Sequence, residues 1–170
     1  MSERGVLLVT GTSGAGKSTL IASLGVYDGV LDVLSYVMPH VERDGDLDGD
    51  ALREPYEDMI VGIQRWDCAW RIIEIASDWP SEFIPRIVAA LDSPVMLVYC
   101  DAPLSLCLSR NDLRAQPTPA ATVVRQSGHG SEFYQELARL NGLPLLIVDT
   151  WKQNVHPAAL AAARRWVREG

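Results

Sequence analysis

Near the start of the chain, Gly11-Thr12-Ser13-Gly14-Ala15-Gly16-Lys17-Ser18-Thr19 has the residue types and spacing needed to grip a polyphosphate. The stretch fits G-x-x-x-x-G-K-[ST], in which backbone N–H groups of a glycine-rich turn surround phosphate oxygens. Lys17 would reach the β- and γ-phosphates and the Ser18 hydroxyl would ligate Mg²⁺, so ATP and Mg²⁺ are the expected ligands. The context suits this chemistry. Gly5 to Thr10 is a short apolar run of strand formers, and Leu20 to Leu24 continues with helical spacing. A strand that breaks into glycines and restarts as a helix aims its free amides, and the positive end of the helix, at one point.

The elements that must position this loop follow in order. Val30-Leu31-Asp32-Val33-Leu34-Ser35-Tyr36-Val37 reads as a second strand, ended by Pro39. An exposed acid-rich loop spans Val41 to Asp50, and Pro55 opens a helix carrying Tyr56, Met59, Ile60, Ile63, Trp66 and Trp70 on one stripe. Arg71 to Ala76 reads as a third strand, after which Ser81 caps a helix running to Leu91. Pro94 to Cys100 is a buried fourth strand, followed by a helix from Pro103 to Leu113 and a mobile segment from Ala115 to Gly130. A helix from Glu132 to Leu140, a fifth strand from Leu143 to Asp149 and a last helix from Pro157 complete the chain. Strands alternating with helices predict an α/β fold with a parallel sheet covered on both faces. Ligands of such sheets sit at the carboxyl ends of the strands. The phosphate loop, Ser35 to His40, Ser77-Asp78-Trp79, Asp101 and Asp149-Thr150-Trp151 should therefore surround one crevice.

Within that crevice Asp78 is the carboxylate of most interest. It can hold the Mg²⁺ shell, accept a proton from an attacking hydroxyl, or cap the helix that follows. Trp79 can pack in the core or stack on a nucleobase. Asp44, Asp46, Asp48 and Gly49 fill positions 1, 3, 5 and 6 of a calcium loop, but Pro55 stands where the bidentate glutamate belongs. His40, His129 and His156 are scattered and show no catalytic spacing.

The formal charge of −7 is concentrated rather than spread. Eight acids and two arginines lie between Glu42 and Asp58, whereas from Arg110 onward eight basic residues face five acidic ones. That balance disfavours a nonspecific nucleic-acid face but allows a local arginine cluster for a small anion. At 170 residues the chain suits one domain. Cys68, Cys100 and Cys107 form no C-x-x-C pair and read as free thiols of a reducing compartment. With no signal peptide and no membrane span expected, the cytoplasm is the expected location.

The element order, the early phosphate loop and a late arginine-bearing segment resemble the P-loop nucleoside and nucleotide kinases over essentially the whole chain. The resemblance implies a three-layer sandwich with strand order 2-3-1-4-5, an acceptor region over about residues 36–70 and a mobile lid over about 110–130. Gly11 to Thr19 is similar to the loop of guanylate kinases and of the related phosphonate-pathway kinase. Arg43-Asp44-Gly45-Asp46-Leu47-Asp48-Gly49 resembles their acceptor pattern R-x-G-E-x-x-G, with Asp46 in place of the glutamate. Ser35 falls near the serine that contacts the acceptor phosphate in that family, but Tyr36 to His40 lacks the further arginine. Arg110 and Arg114 resemble the lid's R-x-x-x-R, and Arg125 the lone arginine beyond it. The resemblance gives them the charge developing on the γ-phosphoryl group. Asp149 falls where the family contacts adenine.

These readings predict a kinase that moves the γ-phosphoryl group of ATP to a nucleoside- or nucleotide-like acceptor, as a monomer or homodimer. If Asp78 is a base, the acceptor is a hydroxyl. A hydroxyl on nucleic acid, such as a hydroxymethylated pyrimidine, is the second reading. A nucleotide-binding switch with no acceptor is the third.

Overall fold

The computed structural model describes residues 5–44, 49–65, 70–152 and 157–169. Its organisation follows from side-chain alternation along the central strand β1 (Val6–Thr10), where successive residues point to opposite faces. Val6 and Leu8 pack with Ile73 and Leu97 on one face, while Leu7 and Val9 pack with Ile72 and Val98 on the other. Both faces are apolar, so both must be covered.

The sheet contains β1, β2 (Val30–Asp32), β3 (Ile72–Glu74), β4 (Val95–Asp101) and β5 (Leu145–Asp149). Its order is β2-β3-β1-β4-β5 and every pairing is parallel. The helices are α1 (Lys17–Leu24), α2 (Leu34–Asp44), α3 (Arg53–Arg65), α4 (Pro80–Ala89), α5 (Leu104–Asp112), α6 (Ala120–Ser127), α7 (Ser131–Leu140) and α8 (Pro157–Glu169). Helices α3, α4 and α7 cover the first face with Met59, Phe83, Ile84 and Tyr134. Helices α1, α5, α6 and α8 cover the second with Leu20, Cys107, Val123 and Val167. This is the expected three-layer α/β sandwich with the expected strand order. Among the described residues no helix is long and apolar enough to cross a membrane.

Four local expectations are corrected. The second strand stops at Asp32, because the Asp32 carboxylate accepts the Leu34 N–H at 2.9 Å and turns the chain into α2. Pro39, expected to end a strand, lies inside α2 and removes one helical N–H there. Helix α3 begins at Arg53, so Pro55 sits in its first turn. The stretch between Ala115 and Gly130 is not irregular throughout, since α6 occupies half of it and starts directly after Pro119. Trp66, Cys68 and His156 lie outside the described residues; α3 ends at Arg65, so Trp70 does not continue its stripe but stands just before β3, packed against the first-face core.

Candidate active site

The phosphate loop joins the central strand to α1, at the carboxyl edge of the sheet. Gly14 and Gly16 hold left-handed backbone (φ 87° and 86°), which lets the loop fold around a small concavity. A Cβ on Gly14 would stand 2.3 Å from the Cys107 carbonyl oxygen, so the loop presses directly on α5. No side chain caps the first turn of α1, whose N-cap is Gly16. The amides there are presented as a phosphate site requires.

Lys17 is buried, and its Nζ donates to the carbonyls of Gly11 at 3.0 Å and Thr12 at 3.2 Å. Burial lowers its pKa, and the Glu74 carboxylate partly opposes that shift. The Ser18 hydroxyl donates to both Glu74 oxygens, at 3.1 and 3.3 Å. Glu74 ends β3 in register with Val9 on one side and Asp32 on the other. Burial raises its pKa, with Lys17 acting against the rise. Ser18 is thus a fitting Mg²⁺ ligand, but the carboxylate standing behind it is Glu74 and not Asp78. Thr19 is exposed on the same turn of α1.

Asp78 is only 3% exposed and lies in the loop between β3 and α4. Ser81 does not cap α4. The helix starts at Pro80, with Trp79 at the N-cap in left-handed conformation (φ 40°) and no side-chain cap bond. The Asp78 carboxylate turns instead to α6, where its Oδ1 accepts Arg125 Nη2 at 2.8 Å and its Oδ2 accepts Gln126 Nε2 at 2.9 Å. Gln126 Oε1 in turn accepts the Ser13 N–H at 2.8 Å. One amide side chain therefore ties the phosphate loop to the buried carboxylate. Gln126 was not foreseen, because a glutamine among alanines, threonine and valines carries no motif.

Arg110 lies over the loop, donating to the Gly14 carbonyl at 3.3 Å and the Thr150 carbonyl at 3.5 Å. Thr150 Oγ1 donates to the Ala15 carbonyl, so the segment after β5 closes the loop from that side. Arg114 is exposed and acts through space, adding a little to the fall that burial causes at Lys17 and opposing the rise that burial causes at Glu74. Arg125 also lies 5.3 Å from the Trp79 ring, which Arg53 approaches to 4.6 Å. Trp79 is thereby engaged by two guanidinium groups as well as by the core. Asp149 is paired with Lys152.

The expected acceptor residues are less well gathered. Ser35 donates its hydroxyl to the Asp32 carbonyl at 2.7 Å and steadies the start of α2. Arg43 is exposed and faces Asp44, Glu54 and His40. Asp46, and with it most of the candidate calcium loop, lies outside the described residues. Among the described residues no group of three acidic, histidine or cysteine side chains is placed to hold a metal.

What does stand beside Asp78 is a cavity of about 390 Å³ between α2, α3 and the segment leading into α6. Ser13, Asp78 and Gln126 line its end at the phosphate loop, and Leu34, Val37, Met38, Val41, Leu52 and Tyr56 line its body. The segment over it is pinned by Asn111, which exchanges two hydrogen bonds with Thr118 at 2.8 and 3.0 Å. Behind Asp78, Ser77 Oγ meets the Tyr134 hydroxyl at 2.5 Å and His129 Nδ1 at 3.4 Å. Burial pushes Tyr134 up to about 12, so its hydroxyl stays protonated.

No protein-family profile matches the sequence, and no curated protein matches it either. Solved structures do match in shape. A sugar kinase from Janibacter sp. has 14% identity and a TM-score of 0.62, covering 99% of this chain and 96% of its own. A gluconokinase from Sinorhizobium meliloti has 14% identity and a TM-score of 0.61, over 98% and 95%. A shikimate kinase from Acinetobacter baumannii, in complex with shikimate, has 16% identity and a TM-score of 0.55, over 96% and 90%. The whole chain thus has the fold of small P-loop kinases. The particular likeness to guanylate kinases gains no support from these neighbours, and Arg43 lies in an acidic cluster instead of lining the cavity.

Proposed function

We propose that this protein is an ATP·Mg²⁺-dependent kinase that phosphorylates a hydroxyl group of a small acceptor. The observation that carries the reading is the bridge Ser13–Gln126–Asp78. It sets a buried carboxylate, which lines a cavity of acceptor size, beside the loop that would hold the triphosphate. Bound MgATP supplies the transferable phosphoryl group and the cation that offsets its charge. The chain supplies the rest. The loop amides and Lys17 hold the phosphates, and Ser18 backed by Glu74 holds the metal. Arg110, with Arg114 near it, covers the donor side, and Asp149 lies at the end of β5 where the base would be bound. Asp78 orients the acceptor hydroxyl and takes its proton, since each of its oxygens accepts one bond and keeps a lone pair free.

A nucleoside meets these terms through a sugar hydroxyl. A nucleotide accepting on its phosphate needs cations at the acceptor end, and the cavity lining contains neither lysine nor arginine. The protein acts in the cytoplasm, as a monomer or homodimer. The test is ADP release from MgATP with and without candidate alcohols, in the parent and in Asp78→Asn. Acceptor-dependent turnover that falls by about 10²- to 10³-fold in Asp78→Asn is expected for a lost general base. Slow hydrolysis indifferent to every acceptor would instead mark a nucleotide switch.

A further inference from the structure

We propose that the acceptor is an uncharged alcohol with an apolar body, which enters hydroxyl first. This rests on the kinase reading and narrows it. The cavity is divided along its length. Ser13, Thr118, Gln126 and Asp78 are joined by hydrogen bonds at the phosphate-loop end, where Thr118 Oγ1 donates to Ser13 Oγ at 3.4 Å, and Gln116 and Thr122 add polar side chains on the side of α6. Its body is walled by Val37, Met38 and Val41 of α2 and by Leu52 and Tyr56 opposite. Tyr56 adds no free polar group there, because its hydroxyl donates to the Ala76 carbonyl at 3.2 Å and burial holds its pKa well above the ordinary value.

Charge excludes the other classes. Asp78 is the one acidic or basic residue of the lining. The nearby cations are engaged: Arg125 with Asp78, Arg53 with Asp50 and Glu82, and Arg43 with Asp44 and Glu54. An acceptor carboxylate or phosphate buried here would lose its water and gain no counter-charge. Beyond the reach of Gln116 and Thr122, a polyol would set hydroxyls against Val37, Met38 and Val41, which offer nothing to bond. An apolar body buries its surface against the same walls, and the volume suits roughly ten to twenty non-hydrogen atoms.

In the transfer step an acceptor oxygen lone pair forms the bond to the γ-phosphorus. The bond from that phosphorus to the β,γ-bridging oxygen breaks, and its electron pair leaves on ADP. The hydroxyl proton passes to the Asp78 carboxylate. Alcohol and ATP thus give phosphate monoester, ADP and one proton.

The experiment uses 3-phenylpropan-1-ol and cinnamyl alcohol as apolar probes, gluconate, shikimate and thymidine monophosphate as anions, and glucose and thymidine as neutral polar probes. Binding is measured by calorimetry on the protein saturated with magnesium and a non-hydrolysable ATP analogue. Transfer is measured by mass spectrometry with MgATP. Both apolar alcohols are expected to bind at least tenfold more tightly than every other probe and to yield phosphate esters. Val37→Lys is expected to weaken them at least tenfold while MgATP affinity holds. Leu34→Lys, at the exposed mouth, gives the same test should the first variant not fold. An anion, glucose or thymidine that binds as tightly as the alcohols, or no binding by either alcohol, overturns the inference. If that better-bound probe is phosphorylated, the kinase reading survives. Tight alcohol binding without affinity for MgATP overturns the kinase reading and leaves the cavity's preference standing.

Discussion

The two ends of the crevice are built from different parts of the polypeptide. At the donor end the contacts are main-chain: Lys17 bonds to two loop carbonyls, Arg110 to a third and to the carbonyl of Thr150, and Gly16 leads the amides of α1. At the acceptor end they are side chains, apolar where they come from α2, the turn Gly49–Leu52 and α3, and mixed where they come from the segment between Ala115 and Gln126. A backbone cradle recognises phosphate, which is the same in every triphosphate. A cavity of side chains can be re-lined one residue at a time, so that end carries the specificity. The difference also governs how each end responds to mutation.

The largest effect is expected at the donor end. Lys17→Ala removes the buried cation and should lower phosphoryl transfer by about 10³-fold, in the range seen when one preorganised electrostatic group is lost. Its acceptor affinity should not change, which calorimetry with 3-phenylpropan-1-ol would check. If alcohol binding falls as far as turnover does, the two ends are not separable and the comparison fails.

The same difference decided what could be read from the sequence. The loop was legible because it is local: glycine, lysine and serine at fixed spacing between a strand and a helix. Glu74 was not, since a lone acid after Ile72-Ile73 becomes a partner of Ser18 only through the parallel register of Val9 with Glu74. Helix α2 was misread for a physical reason. Val30 to Val37 contains enough branched apolar residues for a strand, and the side chain of Asp32 overrides them by bonding to the Leu34 amide. Because α2 forms one wall of the cavity, the acceptor end was hidden by that error. Arg125 stood out through the resemblance as a lid arginine, and its pairing with Asp78 was not part of that reading, while Gln126 next to it carries no motif.

Gln126 offers a sharper probe of how the ends communicate. Gln126→Ala deletes the acceptor of the Ser13 amide and one donor to Asp78 together. Two bonds in a buried setting are worth about 1–3 kcal/mol, so kcat/KM for the acceptor should drop roughly tenfold. MgATP affinity should move less than about threefold, because the other loop amides and Lys17 remain. A loss confined to MgATP binding would place Gln126 on the donor side alone.

The smallest effect tests the cost of the metal-facing carboxylate, and here stability and function should part. The pKa of Glu74 is raised above its ordinary 4.5 chiefly by burial, against the pull of Lys17. A carboxyl whose folded pKa exceeds its unfolded value contributes most below the unfolded pKa, and that contribution fades as pH rises through the folded one. At neutral pH the ionised Glu74 is therefore a net burden on the ligand-free fold. Glu74→Gln keeps the shape without the charge. It should raise Tm by about 1–3 °C at pH 7 and leave it unchanged near pH 4, while weakening MgATP binding. A calorimetric scan of both proteins across that range reads the sign directly. A variant less stable than its parent at pH 7 would mean that attraction to Lys17 outweighs the burial of the carboxylate, and the pair would then be a structural clasp rather than a metal site kept under tension.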